Sequence, residues 1–230
     1  SNSAMEPSPV PRVKICCIKS PDEARFAVSA GASALGLVSH MPSGPGVIDE
    51  PTITAIAAKV PPPVATFLLT SLTDPEAIVA QHRRCRTSTI QLCDYQAHAT
   101  YAVLRERLPG IRLVQVVHVL DEADLARAQE LAPAVDALLL DSGNPTLAVK
   151  KLGGTGCVHN WALSRRIREA VDVPVFLAGG LSAANVAAAI AEVAPFGLDL
   201  CSGVRTQDRL DPEKLTAFFA ALHRATGPSA

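Results

Sequence analysis

Short apolar runs alternate with segments of helical periodicity from one end of the chain to the other. The runs fall at 13–17, 34–38, 64–69, 89–93, 113–119, 137–140, 175–178 and 198–201. Stretches this short, rich in Val, Ile and Leu and bounded by turn residues, read as strands buried on both faces. Helical patterns occupy 22–30, 53–58, 75–82, 97–108, 122–131, 162–170, 183–194 and 212–224. Parallel strands need crossover helices, and eight strand–helix units in this length predict an α/β fold, a closed (β/α)8 barrel. An open doubly wound sheet is the rival, but its glycine-rich first turn is absent; that turn reads Cys17-Ile18-Lys19.

Helix starts are marked by side chains that satisfy unpaired amides. Ser20-Pro21-Asp22-Glu23 has the form of a capping box with proline at the first helical position. Asp74-Pro75-Glu76 and Asp211-Pro212-Glu213 repeat the aspartate and proline, and Ser182 is placed to cap the seventh helix. Each cap marks where a loop leaving the C-terminal end of a strand enters its helix. In a barrel of this type those loops carry the chemistry.

The chain has 230 residues, with 21 Lys and Arg against 22 Asp and Glu. That balance gives no general reason to expect a nucleic-acid partner. No apolar run is long enough to span a membrane, and SNSAM reads as a cloning scar ahead of Met5 with no targeting core behind it. A cytoplasmic protein is expected. Residues 1–11 read as scar and flexible segment, 12–227 as one domain, and 228–230 as a flexible end. The six cysteines do not form a disulfide framework in a chain of this size.

Glycine gathers late in the chain, at Gly153-Gly154-Thr155-Gly156, Gly179-Gly180 and Ser202-Gly203, after the sixth, seventh and eighth strands. Glycines let main-chain N–H groups approach an anion, and barrels often hold phosphate between the last two loops. Any one cluster taken alone reads first as a tight turn. Together they point to phosphate held by amides around Gly154, Gly156, Gly180 and Gly203 and by the Ser202 hydroxyl. No GK[ST] follows, so this is not a nucleotide P-loop.

Two residues at strand ends suit proton transfer. Asp141 closes "VDALLLDS" and shares its facing with Leu139, while Cys16 shares its facing with Lys14. Burial at the barrel mouth would raise the Asp141 pKa and keep it protonated. Lys14 or a bound substrate would favour a Cys16 thiolate. An acid and a base flanking a sugar phosphate would serve an isomerisation. The plainer reading makes Asp141 a turn cap through Ser142 and Gly143, and Cys16 a packed thiol.

The ordered set KIC, "GASALGLV", "IQLC", "ALLLDS", "GGTG", "NW", "LAGGLSAANV", "GLDLCSGV" and "DPEKLTAFF" resembles the phosphoribosylanthranilate isomerases of tryptophan biosynthesis, over essentially the whole domain. The resemblance implies an aldose–ketose isomerase carrying out an Amadori rearrangement of a small phosphoribosyl substrate. Asp141 would be its general acid and Cys16 its general base, with no metal or organic cofactor, as a monomer or homodimer.

Several positions depart from that pattern. The family's second loop carries an arginine near the anthranilate carboxylate, whereas 39–49 holds neither Lys nor Arg. Arg205, where the family commonly has Glu, is the preferred replacement, with Lys19 second; Lys14, Lys19 and Arg205 are the expected substrate-binding cations. Cys17 stands for the family glycine, Cys93 for its strand-four histidine, and His159-Asn160 for a Phe-Asp pair. A relative with a different aglycone and a noncatalytic phosphate binder are the alternatives. Cys16, Cys93, Cys157, His118 and His159 could converge on a zinc ion, but no short Cys-x2-Cys spacing supports that reading.

Overall fold

A computed structural model describes residues 10–143 and 160–228. Eight parallel strands close into a barrel in sequence order: β1 (Arg12–Ile15), β2 (Ala34–Val38), β3 (Ala65–Thr70), β4 (Thr89–Leu92), β5 (Arg112–His118), β6 (Ala137–Asp141), β7 (Val175–Ala178) and β8 (Gly197–Leu200). Among the described residues the helices are α1 (Pro21–Ala30), α2 (Glu50–Ala57), α3 (Pro75–Cys85), α4 (His98–Arg107), α5 (Ala123–Leu131), α6 (Trp161–Ala170), α7 (Val186–Val193) and α8 (Pro212–Thr226). A two-residue hairpin of β9 (Arg205–Thr206) and β10 (Arg209–Leu210) follows β8. No described helix is long and apolar enough to cross a membrane.

The described chain divides into two compact units. One holds residues 14–116 and 134–137. Its strands align Gly36 with Phe67 and Phe67 with Thr89, so these three share a face. Leu35, Leu37, Leu68 and Ile90 point the other way and are buried, as are Ile53, Ile56, Ile78 and Leu104 on the helices. The Asp136 carboxylate closes the unit below β6: it accepts from the Leu113 amide at 2.8 Å and from Arg105 at 2.7 Å.

The other unit holds the described parts of 1–13, 117–133 and 138–230. Here Leu138 and Leu140 alternate with Leu139 and Asp141, and Leu177, Leu198, Ile167, Val186 and Phe218 complete a buried core. Ser142 is buried at the end of β6, its Oγ 2.5 Å from Ser164 Oγ on α6. That bond ties the strand end to the helix.

The expected caps hold at three helices. The Glu23 amide donates to Ser20 Oγ at 3.1 Å, the Ala77 amide to Asp74, and the Glu213 and Lys214 amides to Asp211. Glu23 reaches back one residue further than a capping box requires, to the Lys19 amide. The seventh helix begins at Val186 rather than 183, because Ser182 and Asn185 first close a turn of their own: Asn185 Oδ1 accepts from the Ser182 amide at 2.9 Å.

Candidate active site

β1 stops at Ile15, two residues short of the expected strand end. Cys17 adopts φ 61°, a left-handed conformation that carries the chain out of the sheet. A non-glycine residue there costs about 1–2 kcal/mol, which gives a physical reason for glycine at this place in the resembled family. Cys16 stays at the strand end, 6 % exposed.

The surroundings of that thiol are set by a single glycine. A Cβ on Gly36 of β2 would lie 2.7 Å from Cys16 Sγ and 3.2 Å from Lys14 Nζ. Both side chains therefore occupy the space over the Gly36 backbone, which agrees with their shared facing. Lys14 is fully buried, and its ammonium sits 5.3 Å from the centroid of the Phe67 ring. A buried cation is costly unless its charge is answered. The ring face answers part of it, and a thiolate beside the ammonium would answer more. Lys14 thus neighbours the thiol over the Gly36 backbone.

Asp141 is the last residue of β6, and its carbonyl accepts from the Val119 amide at 3.0 Å. The carboxyl does not have the burial expected of it: its side chain is 38 % exposed. Strand alternation put it on the same side as Leu139, but the strand ends there and solvent reaches the terminal side chain. Its Oδ2 lies 3.3 Å from Nδ1 of His118, the last residue of β5, which is itself 47 % exposed. The turn-cap alternative has a competitor, since the Ser142 amide donates to the Ala178 carbonyl. The pairing of Asp141 with His118 was missed in the sequence, where His118 entered only as a metal candidate. Its signal was a lone imidazole ending the apolar run of β5.

The loops after β7 and β8 pack directly on one another. A Cβ on Gly203 would lie 1.9 Å from the Leu181 carbonyl oxygen, so only glycine allows this approach. Gly180 is exposed with φ 65°, and Asn185 Nδ2 donates to its carbonyl at 2.9 Å. Ser202 is exposed at the start of a 3-10 turn through Val204. The structure thus brings Gly180, Ser202 and Gly203 into two adjoining loops. Gly154 and Gly156 lie outside the described residues.

Arg205 opens β9 and is 7 % exposed. Its guanidinium donates to the Asp208 carbonyl across the β9–β10 turn at 3.2 Å, and Lys214 Nζ donates to its carbonyl at 2.8 Å. Gln207 and Asp208 both have positive φ, the signature of a tight hairpin turn. Lys19 sits at the entrance to α1, partly buried. The second loop is pinned by Ser39, whose hydroxyl donates to the Leu69 carbonyl at 2.6 Å, and His40 is exposed. Among the described residues no three His, Cys, Asp or Glu side chains are grouped to hold a metal ion.

A family model described as N-(5'phosphoribosyl)anthranilate (PRA) isomerase matches residues 13–221. The N-(5'-phosphoribosyl)anthranilate isomerase of Methanocella arvoryzae is 33 % identical over 215 residues, 94 % of this chain and 99 % of that one. The same enzyme of Haloferax volcanii is 36 % identical over 220 residues, covering 94 % and 95 %. Among solved structures, a phosphoribosyl anthranilate isomerase in complex with reduced 1-(o-carboxyphenylamino)-1-deoxyribulose 5-phosphate superposes with a TM-score of 0.76 at 26 % identity, over 93 % of this chain and 99 % of that one.

Proposed function

Because the chain belongs to the N-(5'-phosphoribosyl)anthranilate isomerase family, we propose that its Amadori rearrangement is carried by Cys16 as general base and Asp141 as general acid. The observation that carries this assignment is positional: each residue stands at the C-terminal end of its strand, β1 and β6, in a parallel barrel. That is the end at which barrel enzymes do their chemistry.

The Asp141 carboxyl gives its proton to the ribose ring oxygen. The C1–O bond breaks, its electron pair stays on oxygen, and the amine nitrogen forms an iminium with C1. The Cys16 thiolate then removes the C2 proton, and the C2–H electron pair becomes the C1–C2 double bond of an enolamine. Tautomerisation gives the amino-ketose. The substrate's own nitrogen is the electron sink. Lys14 beside Cys16 favours the thiolate, and burial to 6 % exposure limits the access of water to the residue.

Phosphate is held by the main-chain amides of the loops after β7 and β8, around Gly180, Gly203 and Ser202; Gly154 and Gly156, outside the described residues, remain candidates by sequence alone. The anthranilate carboxylate needs a cation that the second loop does not supply. Arg205 is the assigned partner, with Lys19 second, and the cytoplasm is the compartment this reading implies.

Steady-state turnover of the phosphoribosylanthranilate substrate tests the assignment. Asp141→Asn and Cys16→Ser should each lower kcat by about 10²–10⁴-fold with little change in KM. Near-normal turnover in both would move the chemistry to other residues. Arg205→Ala should selectively weaken the parent's preference for the anthranilate substrate over an analogue lacking the carboxylate. An unchanged preference would exclude Arg205.

A further inference from the structure

Ring opening and C2 deprotonation leave the two catalytic groups in the wrong charge states for another turnover. Asp141 ends as a carboxylate and Cys16 as a neutral thiol, while the substrate has only been isomerised. Before the next cycle a proton must reach Asp141 and one must leave Cys16. The two sites differ in their access to water: Cys16 is 6 % exposed, whereas the Asp141 side chain is 38 % exposed and its imidazole neighbour 47 %.

We infer that His118 is the group that reloads the general acid, passing a proton from solvent to Asp141 between turnovers. The inference rests on the assignment of Asp141 as the acid. Nδ1 of His118 lies 3.3 Å from Asp141 Oδ2, close enough for transfer with a small adjustment of either side chain. An imidazole has two nitrogens, so it releases a proton from Nδ1 to the carboxylate while Nε2 takes one from water. The bonds balance: the Nδ1–H bond breaks as the Oδ2–H bond forms, and the ring recovers its proton from solvent. The ring is exposed to solvent and adjoins the carboxylate, so it is placed to deliver a proton to it.

Neighbouring acids on the same loop are otherwise engaged. Asp124 Oδ2 accepts from the Leu120 and Asp121 amides at 2.8 and 3.0 Å and faces Arg127, while Asp121 Oδ1 accepts from the Ala123 amide. Glu122 pairs with Arg166. Asp141 is an acid the structure pairs with this ring.

The test compares His118→Ala, His118→Asn and Asp141→Asn in the full chain, with circular dichroism melting to check folding. His118→Ala should lower kcat roughly tenfold or more while KM stays within about twofold. Imidazole added to the assay should restore its kcat in a concentration-dependent way, because the exposed site admits the free ring. His118→Asn keeps a side-chain N–H near the Nδ1 position but cannot relay a proton, and it should remain slow. Parent-like kcat in His118→Ala, parent-like kcat in His118→Asn, or failure of imidazole to restore turnover would each overturn the relay. Should Asp141→Asn itself turn over normally, the acid assignment falls rather than the relay alone.

Discussion

β6 has an aspartate at each end, and the two are set in opposite ways. Asp136, just before the strand, accepts from the Leu113 amide and from Arg105, with Arg112 at 3.5 Å. Burial pushes its carboxyl pKa up, but the Arg105 bond and the Leu113 amide outweigh that and hold it below the usual carboxylate value. Asp141, closing the strand, is paired with the His118 imidazole and is 38 % exposed. One carboxylate is tied to donors that keep it ionised and immobile. The other faces an imidazole at 3.3 Å and is open to solvent. In a barrel the N-terminal ends of strands serve stability and the C-terminal ends serve chemistry, and the roles proposed for the two aspartates at the ends of β6 follow that division.

Breaking each end should therefore produce different phenotypes. The largest expected effect is on rate: Asp141→Asn should cost about 10²–10⁴-fold in kcat while the melting temperature stays close to the parent's. A large loss of stability in that variant would erase the contrast. Gly36→Ala comes next. Its new methyl would sit 2.7 Å from Cys16 Sγ and 3.0 Å from Cys16 Cα, so the thiol must shift. A misplaced catalytic group of about 1 Å typically costs on the order of 10²-fold, and stopped assays on the purified variant would show it. Full activity would mean that the base does not need its seat against β2.

At the other end of β6 the expected loss is in stability. Asp136→Ala removes charge-assisted hydrogen bonds from a partly exposed site, and a cost of about 1–2 kcal/mol is expected in denaturant titration with kcat preserved. Lower kcat at unchanged stability would reverse the assignment of the two ends. The same carboxylate predicts a direction with pH. Its folded-state pKa lies below its unfolded value, so its contribution is present above the unfolded pKa of about 4 and is lost as pH falls through the folded value. Melting temperatures of the parent and Asp136→Ala should converge on acidification below about pH 4. A gap that persists there would assign the stabilisation to packing rather than charge. The smallest effect sharpens the comparison from outside it. Ser20→Ala deletes the cap of α1 and should cost about 1 kcal/mol without touching turnover.

Much of the frame was legible in the chain. The strands at 34–38 and 175–178 coincide with β2 and β7, since apolar runs bounded by turn residues leave little choice of limits. The aspartate–proline pairs mark the starts of α3 and α8 because a cap and its amides are local in sequence. Other limits depended on structure. α2 begins at Glu50 rather than 53, where Asp49 accepts from the Thr52 amide, a cap hidden in a loop read for its missing cations. The β9–β10 hairpin escaped notice because two-residue strands carry no periodicity.

Strand order, the thiol at the end of β1 and the carboxyl at the end of β6 follow from patterns that span a few residues, and the sequence by itself determined them. What stands beside those groups does not. The imidazole next to Asp141 comes from 23 positions earlier in the chain, and the backbone beneath Cys16 comes from a glycine 20 positions later. Side-chain alternation tells which way Asp141 points but not how much water reaches it, because exposure is fixed by neighbouring strands and loops. Only the tertiary structure decided that the Asp141 carboxyl is open to solvent while the Cys16 thiol is enclosed, since it is the closing of the barrel that sets each strand end among residues distant in sequence.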